Sequence, residues 1–344
     1  MPKIHGIVAL AASLAAAQAP VVRMETVLPK ATDPAIDSAL SAHRAALATS
    51  GATLRNQLFL FLHGLGGAAS GAGEITTAAA EQGFHAIAIT YPMNVSPASS
   101  CSGSGAGPCT ESFRREILEG VDLTPAITIT RANSVENRAL KLLRYLDSIH
   151  PGEGWAQYDS SGSLRWSKIV LYGHSMGGSN VSVLAKLHPV ARLCVSSPAT
   201  DISQWWSSAA TPADRVYGFS HAQDPMYPGQ QSNWTAMGLA GALTDVGTSP
   251  SPYGNSHKLL ATATPGGAGT DYHNSPTMDG ATPRDGNNAP LYKPVWIYMM
   301  TGGGTTAIRP SSGKRFPAKM EGSENVDALG RSAQKSAASI LMKH

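Results

Sequence analysis

Cysteine is scarce in this chain: three residues among 344. That excludes a small scaffold stapled by disulfides and a cysteine-rich zinc module. Charge is sparse as well. Charged residues make up 14% of the sequence, and the formal net charge is only +3, with no basic run. So slight an excess excludes a dedicated nucleic-acid binder. Hydrophobic residues, at 42%, supply a substantial core and exclude a disordered chain. No apolar run beyond the N-terminus is long enough to span a bilayer, so no stable membrane anchor is expected. The 11 His include no H-E-x-x-H or other metal-ligand spacing, so neither a metal nor another cofactor is expected. There is no internal repeat, and no linker requires a second domain.

The N-terminus is rich in what the rest lacks. Lys3 and His5 precede an unbroken small and apolar run, Ile7 to Ala17. It is too short to cross a membrane and fits the core of an export signal. Cleavage after Ala17 divides the chain into a signal peptide, 1–17, and a secreted or periplasmic mature protein. In an oxidising compartment Cys101 and Cys109, which bracket Ser-Gly-Ser-Gly-Ala-Gly-Pro, are expected to form a disulfide. Cys194 lies in an apolar run and reads as a buried strand residue.

Strand-like and helix-like segments alternate through the middle of the chain, the pattern of an α/β fold. Strands are expected at Gln57–Leu62, Phe84–Thr90, Lys168–Tyr172, Arg192–Ser196, Arg215–Ser220 and Lys258–Thr264. Helices are expected at Ala72–Gln82 and Ser179–Leu187. A third runs to His150 from a cap at Asn133-Ser-Val-Glu136, with Leu140, Leu143, Leu146 and Ile149 on one face. Tyr91 to Thr110 reads as a long surface loop, and Pro294–Met300 as strand or helix. Residues 18–54 read as an N-terminal extension packed on the core, with a helix starting at Asp33-Pro34. Residues 55–300 form the main domain. Residues 301–344 form a C-terminal tail that ends in a surface helix near Val326–Met342.

The chemistry centres on Gly173-His-Ser175-Met-Gly177, which matches G-x-S-x-G. It follows a strand-like run and precedes a helix-like one. A sharp strand-to-helix turn would hold Ser175 with its hydroxyl exposed, and the glycines two residues either side would remove clashing side chains. The helix N-terminus there favours a developing anion. A second element, His63-Gly-Leu-Gly-Gly67, follows Leu58-Phe-Leu-Phe-Leu62 and so lies at a strand's C-terminal end. A tetrahedral intermediate needs fixed N–H donors, and Leu65 and Met176 are placed to supply them from the backbone.

Ser175 needs a base, and the base an orienting acid. His273 lies beyond the C-terminal end of the 258–264 strand, in a loop loosened by Gly266, Gly267 and Gly269. His257 stands at the wrong end of that strand, and His344 is the last residue. Asp224 follows the 215–220 strand, and Asp201, which follows the strand before it, is the alternative acid. Trp205 and Trp206 are candidates for an acyl pocket or for the core. His174 and His221 are expected beside the site. Asn233-Trp-Thr235 is a glycosylation sequon.

These motifs resemble those of the α/β-hydrolase superfamily, in its esterase and lipase branch. Gly173-His-Ser-Met-Gly-Gly178 resembles the nucleophile elbow of bacterial cutinases and polyester hydrolases, and His63-Gly-Leu-Gly-Gly67 the oxyanion segment of lipases. The surroundings of Asp224 and His273 do not resemble a cutinase. The resemblance implies a mostly parallel central sheet with helices on both faces, with Ser175 as nucleophile, His273 as base and Asp224 as acid. It implies a small-molecule or polymeric ester as substrate and no cofactor. A serine peptidase or amidase on the same fold, and a non-catalytic hydrolase-like binding protein, are the alternatives. The interval from Ser197 to Asp214 has room for one short helix near Asp201–Ser208, so only a minimal cap and a preference for short to medium acyl chains are expected.

Overall fold

The computed structural model describes residues 19–303. The expected signal peptide, His344 and the helix near Val326–Met342 lie outside the described residues. In chain order the elements are β1 (Val21–Val27), α1 (Pro29–Thr32), β2 (His43–Ser50), β3 (Leu58–Leu62), α2 (Gly73–Glu81) and β4 (His85–Ile89). Next come α3 (Ala106–Glu119), α4 (Val135–Ile149), a small ribbon of β5 (Asp159–Ser160) and β6 (Ser163–Leu164), β7 (Ile169–His174) and α5 (Met176–Leu187). The last are β8 (Arg192–Ser196), β9 (Val216–His221), α6 (Tyr227–Ala236), β10 (Thr244–Asp245), β11 (Lys258–Ala261) and α7 (Lys293–Thr301).

Nine strands form one sheet in the order β1-β2-β4-β3-β7-β8-β9-β11-β10. β2 pairs antiparallel with β1 and with β4, and the other pairings are parallel. This is the α/β-hydrolase fold. A parallel strand covered on both faces must be apolar throughout, and all five residues of β3 are buried. The pleat then divides them. Leu58, Leu60 and Leu62 join one core with Leu142, Leu143 and Leu146 of α4 and Val181 and Leu184 of α5. Phe59 and Phe61 join the other, with Ile75 and Ala78 of α2 and Trp296 and Met299 of α7.

Several local expectations change. No helix starts at Asp33-Pro34: α1 ends there, and the Asp33 carboxylate turns the chain by accepting the Ala35 N–H at 3.1 Å. Residues 18–54 instead contribute β1 and β2 to the sheet edge. The strand pattern of β1 is masked by Arg23 and Glu25, which lie at the sheet margin and bond each other at 2.6 Å. The α4 cap is Ser134, one residue later than expected, because Asn133 is buried and bonds Asp37 and Arg138. Ile149 is exposed, and Leu142 takes its place in the core. The last five residues of the expected 91–110 loop are the start of α3. Cys101 and Cys109 are joined, which ties that loop to the first turn of the helix. Residues 294–300 are helical, within α7.

Candidate active site

β7 leads straight into α5, and Ser175 is the single residue between them. Its φ of 55° is strained for a residue with a Cβ. The surroundings over-determine it. Its N–H donates to Ser196 O at 3.0 Å, and its carbonyl accepts from Gly178 at 2.9 Å and Ala199 at 3.2 Å. The flanking glycines are needed for close approach: a Cβ on Gly173 would lie 2.3 Å from Gly177 O, and one on Gly177 would lie 2.1 Å from Leu62 O.

His273 is carried by the loop after β11. Its Nε2 is 2.9 Å from Ser175 Oγ, and its Nδ1 is 2.7 Å from Asp224 Oδ2. Asp224 follows β9 and is buried. Its Oδ1 accepts the Met226 N–H at 2.9 Å, and its Oδ2 also accepts Gln230 Nε2 at 2.8 Å. Burial opposes the charge, but His273, Met226 and Gln230 outweigh it and hold the carboxyl below its usual range. A carboxylate can only accept, so Nδ1 of His273 carries the proton and Nε2 presents its lone pair to Ser175.

His174 packs beneath this arrangement. Its Nε2 donates to the His273 carbonyl at 3.1 Å. Burial, with His273 beside it, lowers its imidazole to about 3, so it is a neutral strut. His221 does similar work: Nε2 donates to Ala263 O at 3.0 Å, and Nδ1 accepts the Gln223 N–H at 3.0 Å.

The 63–67 loop lies against the nucleophile, since a Cβ on Gly64 would meet Ser175 Cβ at 2.8 Å. The Gly66 N–H is occupied by Met93 O at 2.7 Å. Met176 begins α5, where an N–H has no acceptor inside the helix. The Met176 N–H thus adjoins Ser175 along the chain, and Leu65 follows Gly64, the residue that packs on Ser175.

Other candidates lie elsewhere. Asp201 does not reach His273. It takes a two-bond grip from Arg114, at 2.7 and 2.8 Å. Trp205 is buried, donates Nε1 to Asp201 at 2.9 Å and carries the Lys186 ammonium over its ring, so its surface is spent on packing. Trp206 packs half-buried against the same core. The Ser197–Asp214 interval holds single 3-10 turns at Ile202–Gln204 and Ala213–Arg215 rather than the helix expected near Asp201–Ser208. Asn233 is no acceptor for a glycan: it is buried, its amide donating to Ala199 O and accepting from Ser203 N–H. Gln230, Arg114, Asn180 and Tyr91 were not anticipated. Their partners are remote in sequence, or, for Gln230, visible only once α6 turns back on Asp224. Among the described residues no three His, Cys, Asp or Glu side chains are grouped as metal ligands would be.

No protein-family model matches the chain, and no curated protein does. Among solved structures the chain is similar to a crystal structure of esterase B from Lactobacillus rhamnosis with a C4-C4 SN3 tributyrin phosphonate. The two are 13% identical with a TM-score of 0.39, over 71% of this chain and 76% of that one.

Proposed function

We propose that this protein is an exported serine hydrolase that cleaves carboxylic esters through an acyl-enzyme. The observation that carries the reading is the unbroken line from Ser175 Oγ through His273 to Asp224, with bonds of 2.9 and 2.7 Å. In the first half-reaction Ser175 Oγ attacks the ester carbonyl, and its proton passes to His273 Nε2. Asp224 stabilises the imidazolium that results. The carbonyl oxygen, now an anion, is held by the N–H groups of Leu65 and Met176. Collapse breaks the ester C–O bond, and the alcohol leaves with the proton from Nε2. Water then repeats the sequence on the acyl-serine and releases the acid.

The substrate side of the proposal is a short to medium acyl chain. Each added methylene contributes about 0.8 kcal/mol only where an apolar wall receives it. With Trp205 in the core and no folded lid in the 197–214 interval, such walls are few. Export is supported by the Cys101–Cys109 disulfide.

Labelling by a fluorophosphonate, lost in Ser175→Ala, tests the nucleophile. Matched ester and amide substrates test the bond cleaved. A series from acetate to palmitate should rise over the first few carbons and then level off or fall. Efficiency climbing steadily to palmitate would refute the chain-length assignment, and an unlabelled wild-type Ser175 would refute the enzyme.

A further inference from the structure

Behind the nucleophile, buried polar groups that take no part in the proposed proton transfers form one continuous run of hydrogen bonds. Asp201 accepts from Nε and Nη2 of Arg114. Nη1 of Arg114 donates to Asn180 Oδ1 at 2.8 Å and to the Met176 carbonyl at 3.3 Å. Asn180 Nδ2 donates to Tyr91 OH at 3.0 Å, and Tyr91 OH donates to the His63 carbonyl at 2.7 Å. Arg114, Asn180, Tyr91 and His63 are each no more than 1% exposed. The run thus ends on the two backbone segments that carry the Met176 and Leu65 N–H groups.

We propose that Arg114, Asn180 and Tyr91 are positioning residues that set the spacing between the two oxyanion donors. The proposal rests on the serine-hydrolase reading above. Three observations support it. The 63–67 segment contains three glycines, so its backbone has little stiffness of its own and needs external ties. The ties it has include Tyr91, whose hydroxyl holds His63 O and whose N–H donates to His63 Nε2 at 3.3 Å. The other end is anchored by an ion pair whose guanidinium is buried and whose carboxylate is partly so, which costs desolvation that an apolar pair would not. What the pair supplies is direction. A guanidinium fixes a carboxylate with one edge and reaches Asn180 and Met176 with its remaining N–H, which a lysine cannot do. Burial opposes ionisation of Asp201, but Arg114 and Trp205 outweigh it, so the anchor stays charged. A fully satisfied buried network is rigid, and rigid donors are what an oxyanion site requires.

The test uses Tyr91→Phe and Arg114→Lys in the full chain, with hydrolysis of a butyrate ester, thermal unfolding and the pH–rate profile measured on each. Tyr91→Phe removes one hydroxyl, and Arg114→Lys keeps a cation beside Asp201 but loses the fork. Displacing a donor rather than deleting it should lower kcat about tenfold to a hundredfold, with KM changed by no more than about threefold. The pH at which activity appears should not move, because neither residue touches His273 or Asp224. The double variant should lose no more than the worse single one, as members of one unit do. If Arg114→Lys does not fold, Tyr91→Phe decides alone. A folded Tyr91→Phe with kcat within about twofold of the parent, a loss confined to KM, or a shifted pH profile overturns the proposal. Ser175→Ala separates the two levels. If it keeps its activity, the hydrolase reading fails. If it is inactive while Tyr91→Phe turns over at the parental rate, only the positioning role fails.

Discussion

Replacing Asp224 with asparagine should remove nearly all turnover while leaving the fold intact. The two side chains have the same shape, but the oxygen Oδ2 accepts from both His273 Nδ1 and Gln230 Nε2, and Oδ1 accepts from Met226 N–H. A backbone N–H cannot invert, so in Asp224→Asn the remaining oxygen should stay on Met226 and the new NH2 should take the Oδ2 position. Gln230 can accommodate this by rotating its amide, because its Oε1 is buried without a partner and would accept from the new NH2. His273 cannot. Facing a donor, Nδ1 must give up its proton, which then sits on Nε2, the atom that should receive the proton of Ser175. Wrong-tautomer loss of this kind costs about 10⁴ in kcat, or about 5.5 kcal/mol of transition-state stabilisation. Steady-state hydrolysis of an acetate ester with a parallel thermal melt measures both quantities. A melt close to the parent with kcat reduced less than about tenfold would show that Asp224 does not set the tautomer of His273.

Asp201→Asn should behave in the opposite way, lowering stability by about 3 kcal/mol through the unpaired Arg114 while reducing kcat by no more than about a hundredfold. A loss of kcat as deep as that of Asp224→Asn would move the acid to Asp201. Gly177→Ala should fail to give folded enzyme or lose at least about 3 kcal/mol, since its Cβ would enter the Leu62 carbonyl; urea unfolding checks this. The fold should also weaken on acidification. His43, His63 and His174 are buried, and burial holds them near 3, 4 and 3, while an unfolded imidazole titrates near 6.5. At pH 5.5 the unfolded chain therefore binds protons that the native state does not, worth about 1.4 kcal/mol per ring and about 4 kcal/mol for three. Asp279, raised by burial to about 7, takes up a proton in the native state over the same range and offsets about 2 kcal/mol of this. The unfolding free energy from urea titrations should fall by the difference, about 2 kcal/mol, between pH 8 and pH 5.5, and a rise would contradict the assignment of these histidines as neutral.

Short-range physics made much of this molecule legible from its sequence. Leu58-Phe-Leu-Phe-Leu62 read as a strand, because so short an apolar run ahead of a glycine-rich turn has no room for a helix. Gly173 to Gly177 carried the turn around Ser175, because the steric demand for glycine is local. Cys101 and Cys109 were close enough in sequence to meet across a flexible loop. Other features depended on groups that meet only after folding. Asp201 and Asp224 both follow parallel strands, and the sequence favours Asp224 only through its place in the strand order, leaving Asp201 as the alternative. Arg114, 87 residues before Asp201, claims the first; Gln230 and His273 claim the second. Asn233 carries a sequon, yet it is buried because α6 packs its amide onto Ala199 and Ser203. Trp205 was eligible for an acyl pocket or for the core, and its contacts with Asp201 and Lys186 put it in the core. β1 was hidden because an edge strand carries charge and loses the apolar run that identifies a central one. The sequence determined where the backbone must bend and which segments must be buried, since those are costs each residue meets with its neighbours. The tertiary structure decided which of several eligible polar groups became partners, because a buried hydrogen bond depends on distances that no interval along the chain specifies.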